Sequence, residues 1–201
     1  MLFRFIPLLA VIAVLAGCAS DPRYSSETLY LTEGGGTVSI AQRGRTNYDN
    51  VSFWDGDGVS GAPFILIRLG EQRAYFYKGE QLVGVSAIST GREGFNTRVG
   101  KFKIIQKSKD HVSSQYGKYV DKVTGEVLVE DADRSRDPLP KNARYEGASM
   151  PYFMRIVAGI GMHAGFLPGY PASHGCIRMP EFMAEAFFNN VSIGTPVHVV
   201  P

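Results

Sequence analysis

From Phe64 onward, apolar positions recur at every second residue rather than at every third or fourth. Phe64 to Leu69 alternates around Ile65 and Ile67, Arg73 to Tyr77 carries Tyr75, Phe76 and Tyr77, and Leu82 to Ser89 is apolar and partly β-branched. Glycine-containing turns at Leu69 to Gln72 and Lys78 to Gln81 separate these runs, a pattern that predicts an antiparallel meander ended by Ser89-Thr90-Gly91. Gly100 to Gln106, with Phe102, Ile104 and Ile105, predicts another strand; Phe153 to Ile160 predicts one leading into His163; Thr195 to Val200 predicts the last. A helical period surfaces in Pro180 to Asn189, where Phe182, Met183, Ala186 and Phe187 share a face and Pro180-Glu181 starts the element. The fold class is therefore mainly β, with a short helix near the C-terminus.

Between these elements, Lys107 to Met150 is the least patterned part. A hairpin is predicted from Tyr119 to Val129 around Thr124-Gly125, and the mixed acids and arginines of Glu130 to Asp137 read as a solvated loop. So long an irregular insertion in a compact domain reads as a lid or binding loop. Asp55-Gly56-Asp57-Gly58 has the alternation of a calcium loop but lacks the later acidic ligands and closing Glu of an EF-hand, so it reads as a plain turn.

The first residues follow a different logic. Arg4 precedes an apolar run from Phe5 to Ala16 that is short for a membrane span and reads as a secretory signal. Leu15-Ala16-Gly17-Cys18 resembles the bacterial lipobox, in which the cysteine becomes the lipidated first residue; an ordinary cleavable signal is the other reading. Residues 1–17 are then a lipoprotein signal peptide, and residues 18–61 an N-terminal tether. The tether is polar and glycine-rich, with Gly34-Gly35-Gly36 before one brief edge strand at Thr37 to Ala41. Residues 62–201 form one folded domain.

A composition of 44% hydrophobic and 20% charged residues is that of a folded globular protein. The net charge of +2, with no dense Lys/Arg stripe, gives no footprint for a nucleic acid partner. Cysteine usage changes the picture more. The chain has two cysteines, and lipid on Cys18 leaves Cys176 without an intramolecular partner in an oxidising compartment, where an unpaired thiol is kept for reactivity or for pairing between chains.

A nucleophilic cysteine needs a base, a rigid mount for that base and N–H donors for an oxyanion. His163 follows a strand, the glycines and prolines of Gly165 to Pro171 let the chain return, and Gly175 permits a backbone in which its own N–H and that of Cys176 point at one oxygen. A histidine and Arg178 nearby would lower the thiol pKa. His163, His174 and Cys176 as three zinc ligands is the alternative chemistry, although no Cys-x-x-Cys or acidic fourth ligand accompanies them.

Ser173-His174-Gly175-Cys176-Ile177-Arg178-Met179, preceded by Gly161-Met162-His163, resembles the signature of the L,D-transpeptidase catalytic (YkuD-like) family. Ser89-Thr90-Gly91-Arg92 with Thr97, Gly100 and Phe102, then Met150 to Arg155, then Gly194-Thr195-Pro196-Val197, resemble further family segments in the right order. The resemblance implies a sandwich-like catalytic domain with Cys176 as nucleophile and His163 as base, its ring oriented by the carbonyl that follows. It also implies an oxyanion hole at the Gly175 and Cys176 amides, a site shaped by His174 and Ser173, and Arg178 supporting the pocket or meeting a substrate carboxylate.

The implied reaction forms a thioester on a peptidoglycan stem tetrapeptide, releases D-alanine and transfers the acyl group to an amine, with no metal or organic cofactor. Hydrolysis by the same cysteine (a carboxypeptidase or endopeptidase) and wall binding without turnover are the alternatives. The implied partners are stem peptides and, through a lipid anchor, the membrane; the implied location is the periplasm-facing bacterial envelope. Three departures from the family pattern stand out: Ala164 where many members have glycine and a short His163 to Ser173 loop, which bear on the acceptor side, and Arg98 where proline is common.

Overall fold

The computed structural model of the protein describes residues 49–201. The signal segment 1–17, Cys18, the strand expected at Thr37 to Ala41 and most of the 18–61 tether lie outside the described residues. Eleven strands and one helix follow in the order β1 (Phe53–Trp54), β2 (Pro63–Arg68), β3 (Arg73–Lys78), β4 (Gln81–Ala87), β5 (Gly100–Lys103), β6 (Gln106–Asp121), β7 (Val127–Asp133), β8 (Ala143–Val157), β9 (Ile160–Ala164), β10 (Ile177–Met179), α1 (Glu181–Asn190) and β11 (Pro196–Val200).

They form a six-stranded sheet, β1-β4-β3-β2-β11-β5, and a five-stranded sheet, β10-β9-β8-β6-β7. Both are mixed, because β11 runs parallel to β2 and β10 parallel to β9. Alternation in the sequence becomes alternation of faces. Ile65, Ile67, Ala74, Phe76, Val83, Val197 and Val199 of the first sheet meet Met154, Ile156, Met162, Ile177 and Met179 of the second in one buried core. Helix α1 closes it with Met183, Ala184 and Phe187, the last packed against Phe76 and Trp54 at ring-centroid distances of 4.9 and 6.1 Å.

Three sequence expectations are corrected. The strand read as Gly100 to Gln106 is two: β5 ends at Lys103, and Ile104 and Ile105 carry the chain from one sheet to the other. The Ile104 N–H donates to Thr195 O at 2.9 Å and the Ile105 N–H to Arg155 O at 2.8 Å. The strand read as Phe153 to Ile160 turns at Ala158-Gly159, so His163 sits on its own strand, β9.

The third correction concerns Lys107 to Met150, which is no irregular loop but the long antiparallel pair β6 and β8 with β7 on its edge. Tyr119 does pair with Val129, as the predicted hairpin requires. Within the expected solvated loop, Glu130 to Asp133 continues β7 and buries Ala132 beside Tyr119 and Ala143 in a small second core. His111, read as a loop histidine, lies on β6 stacked on Phe153 at 4.1 Å.

Phe187 has no exposed surface and joins the helix to both sheets. Phe187→Ala is expected to destabilise the domain by about 3–5 kcal/mol. The check is urea unfolding, read as a lower midpoint at unchanged slope.

Candidate active site

The residues from Gly165 to Gly175 contain no strand of their own, so other elements must hold them. The turn 89–92 does so. The Ser89 N–H donates to Arg178 O and the Arg178 N–H to Ser89 O, each at 3.0 Å; the Ala172 and Ser173 N–H groups both donate to Thr90 O; the Arg92 N–H donates to Ser173 O. Ser89 Oγ donates to Tyr170 O at 2.7 Å. Thr97 completes the clamp: its hydroxyl accepts from the Gly91 N–H at 2.9 Å and donates to Gly175 O at 2.8 Å, with Thr97 itself buried.

Gly175 has φ +112°, a region open in practice only to glycine. Its N–H donates to Ser173 Oγ at 3.0 Å, and Ser173 Oγ donates to the Cys176 carbonyl. The sequence expectation of a Gly175 N–H directed at a bound oxygen is thus corrected: in this structure that donor is engaged inside the turn.

Parallel pairing sets Ile177 beside Met162 and Arg178 beside His163. Ile177, Met179 and Met162 face the core, so His163 and Arg178 stand on the opposite face of the sheet, and both line one cavity of about 920 Å³ with Cys176, Ser173 and His174. His163 is buried, with Nδ1 2.8 Å from Ala164 O. A carbonyl only accepts, so Nδ1 carries the proton and the Nε2 lone pair is free to act as a base. Burial pushes the His163 pKa down to about 4, the Ala164 carbonyl opposing and Arg178 and His111 adding to the effect.

Cys176 is half-buried, its Sγ 3.7 Å from Gly159 O. Burial pushes the thiol pKa up; the Gly161 N–H, Arg155 and Arg178 pull it down without cancelling that effect. The expectation of a lowered thiol pKa is therefore corrected, since cations are present but desolvation outweighs them. The resting pair is a neutral thiol and a neutral imidazole.

His174 performs a different task. Its Nε2 lies 2.7 Å from an Arg92 N–H, which can only donate, so Nε2 accepts and the ring is neutral. Tyr116 stacks on one face at 4.3 Å and Phe95 meets the ring edge-on at 4.7 Å. Asp131, placed by sequence in a loop without function, lies 3.5 Å from both Arg92 and His174.

Tyr116 reaches His174 because β6 bulges: residues 113–116 stand opposite Ala148 alone, between the pairs Val112↔Ser149 and Gly117↔Gly147. Tyr116 and Asp131 carried no signal in the local sequence, and Arg92 was marked only as the last residue of the Ser89 to Arg92 segment. Tyr170 lines the cavity, whereas Tyr152 packs on Phe188 at 5.8 Å, away from it. Among the described residues, no cluster of three or more His, Cys, Asp or Glu could hold a metal ion, and His163 and His174 have the separate partners named above.

Comparison with known proteins gives a consistent result. Residues 62–199 match the family described as the L,D-transpeptidase catalytic domain. The chain is 30% identical over 151 residues to the probable L,D-transpeptidase 3 of Mycobacterium tuberculosis, covering 71% of this chain and 47% of that protein. It is 28% identical over 143 residues to the probable L,D-transpeptidase YbiS of Escherichia coli K12, covering 68% and 44%. It thus spans about half the length of the curated relatives it matches. Among solved structures, an L,D-transpeptidase from Mycobacterium smegmatis superposes with TM-score 0.53 at 18% identity, over 70% of this chain and 59% of that one. L,D-transpeptidase 1 of M. tuberculosis superposes with TM-score 0.50 at 20% identity, over 70% and 62%. These likenesses carry the fold.

Two outcomes test the site. Thr97→Val leaves the Gly91 N–H and Gly175 carbonyl without their partner and is expected to cost about 2 kcal/mol in urea unfolding. A raised thiol pKa beside an uncharged His163 predicts that alkylation of Cys176 by iodoacetamide accelerates only at alkaline pH, above the ordinary cysteine range. A rate plateau below pH ~6, the mark of a thiolate–imidazolium pair, would contradict the neutral resting state.

Proposed function

Because the chain belongs to the L,D-transpeptidase catalytic domain family, we propose that it is a peptidoglycan L,D-transpeptidase working through a Cys176 thioester. One observation carries this reading: a thiol and an oriented, uncharged imidazole share one cavity, with the imidazole proton held on Nδ1 by Ala164 O. In the proposed reaction Sγ attacks the carbonyl of the third stem residue while its proton passes to His163 Nε2. The carbonyl π electrons move to oxygen, where the Cys176 N–H is the proposed donor; the Gly175 N–H joins it only on leaving Ser173 Oγ. Collapse breaks the peptide bond, and the D-alanine nitrogen leaves with the proton from His163. An acceptor amine then attacks the thioester, gives its proton to His163 and expels the thiolate, which is reprotonated. His174 and Ser173 hold the turn, and Arg178 is the cation on the cavity side of the sulfur.

The neutral resting pair suits this sequence. A thiol made acidic in advance is a weaker nucleophile, whereas a neutral thiol with a neutral base loses its proton as the S–C bond forms. Location belongs to the same proposal. The apolar run Phe5 to Ala16 and the Leu15 to Cys18 sequence support export and lipidation at Cys18, which would hold the domain by the membrane beside its peptidoglycan substrate.

Incubation of the protein with a tetrapeptide stem, with and without an amine acceptor, is expected to release D-alanine and give a protein mass increased by the acylated tripeptide. Cys176→Ala should abolish both while circular dichroism stays native. His163→Gln should slow acylation by about 10²- to 10⁴-fold. Turnover by Cys176→Ala would sink the assignment, and product found as free tripeptide even with amine present would move it to hydrolysis.

A further inference from the structure

Beside the proposed nucleophile, on the side away from Arg178, the second sheet carries a cation that the reaction above does not use. Pairing of β10 with β9 places Ile177 beside Met162, so Cys176 precedes it level with Gly161; Gly161 pairs with Arg155 on β8, and Arg155 with Gln106 on β6. Strands lie about 4.8 Å apart, so this row sets the Arg155 backbone about 10 Å from that of Cys176. Met154, Ile156 and Met162 face the core, so Arg155 emerges on the face that bears His163.

The residue between thiol and guanidinium is a glycine. A Cβ on Gly161 would stand 2.5 Å from the Phe153 ring, so the ring occupies the space a side chain would take here. The Arg155 guanidinium stacks over the same ring at 4.9 Å, and Nε donates to Gln106 Oε1 at 2.7 Å. Two contacts thus fix the plane of a half-buried guanidinium while its two terminal nitrogens meet no carboxylate of the described residues within 4.0 Å. The planar fork of an arginine suits a carboxylate, and no acid among the described residues pairs with this one. Its charge nevertheless reaches the sulfur: of the two cations opposing the effect of burial on Cys176, Arg155 acts ahead of Arg178.

The chemistry of the proposed reaction supplies the missing anion. The leaving residue is an α-amino acid whose carboxylate is two bonds from the nitrogen released. By microscopic reversibility the acceptor nitrogen enters where that nitrogen left, and an acceptor that is itself the α-amine of an amino acid brings its carboxylate to the same place. We propose that Arg155, held by Gln106 and Phe153, is a specificity-determining residue that binds the α-carboxylate next to the transferred nitrogen, in the leaving residue and in the acceptor alike. This inference rests on the L,D-transpeptidase reading of the site.

The test uses the full chain with tetrapeptide ending in a free carboxylate or in a carboxamide, and with D-alanine or D-alaninamide as acceptor, comparing wild type with Arg155→Gln and Arg155→Lys. Wild type should prefer the acid in each arm. Arg155→Gln should raise KM for the acid about ten- to a hundredfold, the range for one charged hydrogen-bonded contact, and leave the amide unchanged, with Arg155→Lys recovering part of the preference. Alkylation of Cys176 by iodoacetamide reports that the site is intact in each variant. Equal losses for acid and amide would make Arg155 structural and overturn the proposal. An unchanged preference, or a loss confined to one arm, would overturn the shared site. Absence of D-alanine release by wild type would instead defeat the transpeptidase reading beneath it.

Discussion

The hydroxyl of Thr97 is the point on which the site turns. A side chain with one donor and one acceptor joins the Gly91 N–H to the Gly175 carbonyl inside the protein, so two segments far apart in sequence are pinned through a single oxygen. Around it the backbone of residues 89–92 exchanges bonds with Ala172, Ser173 and Arg178, and the Ser89 hydroxyl donates to Tyr170 O. Gln72 holds the far side of the clamp, accepting from the Thr90 N–H and donating to its hydroxyl. Each bond contributes modestly in net terms, but each would leave a desolvated polar group if broken, and that asymmetry is what makes the arrangement a single state. The nucleophile thus gains the fixity of a strand while sitting at the end of an irregular return loop.

Burial then decides the electrostatics. One face of the second sheet belongs to the core, and His163 and Cys176 stand on the other, covered by the β6–β7–β8 lobe and the return loop. Removing water from an imidazole lowers its pKa and removing it from a thiol raises it, so both groups are driven toward their neutral forms by one cause. Arg92 keeps a second ring neutral, because a guanidinium nitrogen 2.7 Å from His174 Nε2 leaves that atom no choice but to accept. The two imidazoles and the thiol therefore line one cavity in their neutral forms. In the proposed reaction charge would develop there only as bonds change, where preorganised dipoles act most strongly.

What was legible in the sequence follows from the same physics. The meander and the closing strand were visible because each strand has one core face, which writes a period of two into the chain. The motif around Cys176 was visible because base, turn glycine and nucleophile lie within one short stretch. The long strands β6 and β8 were hidden because their lobe buries few apolar residues, among them Tyr119, Val120, Ala132 and Ala143, too few to mark a face. The breaks at Ile104–Ile105 and Ala158–Gly159 were hidden for the opposite reason, apolar residues continuing across them. Tyr116, Asp131 and Arg92 meet His174 through a bulge and a strand edge, and no local spacing encodes a contact of that kind. Cations near the thiol could be read from the sequence, but the desolvation that outweighs them could not.

If Cys176 carries a thioester as proposed, the two cations beside the sulfur also bear on the choice between amine and water. Water offers a nucleophile in great excess and has no second group by which it could be held. An amino acid acceptor has one, its carboxylate, and a guanidinium fixed beside the leaving-group position would bind it in the ground state and the transition state alike. Such uniform binding fills the site at lower acceptor concentration rather than speeding attack by an acceptor already in place. Its effect on the partition is therefore largest where acceptor is scarce, and it disappears at saturation. In the proposed reaction, transfer would prevail over hydrolysis at Cys176 through occupancy of the space beside Gly161 and Phe153. An acceptor lying there displaces the water that would otherwise attack, so one bound carboxylate both retains the amine and excludes its competitor.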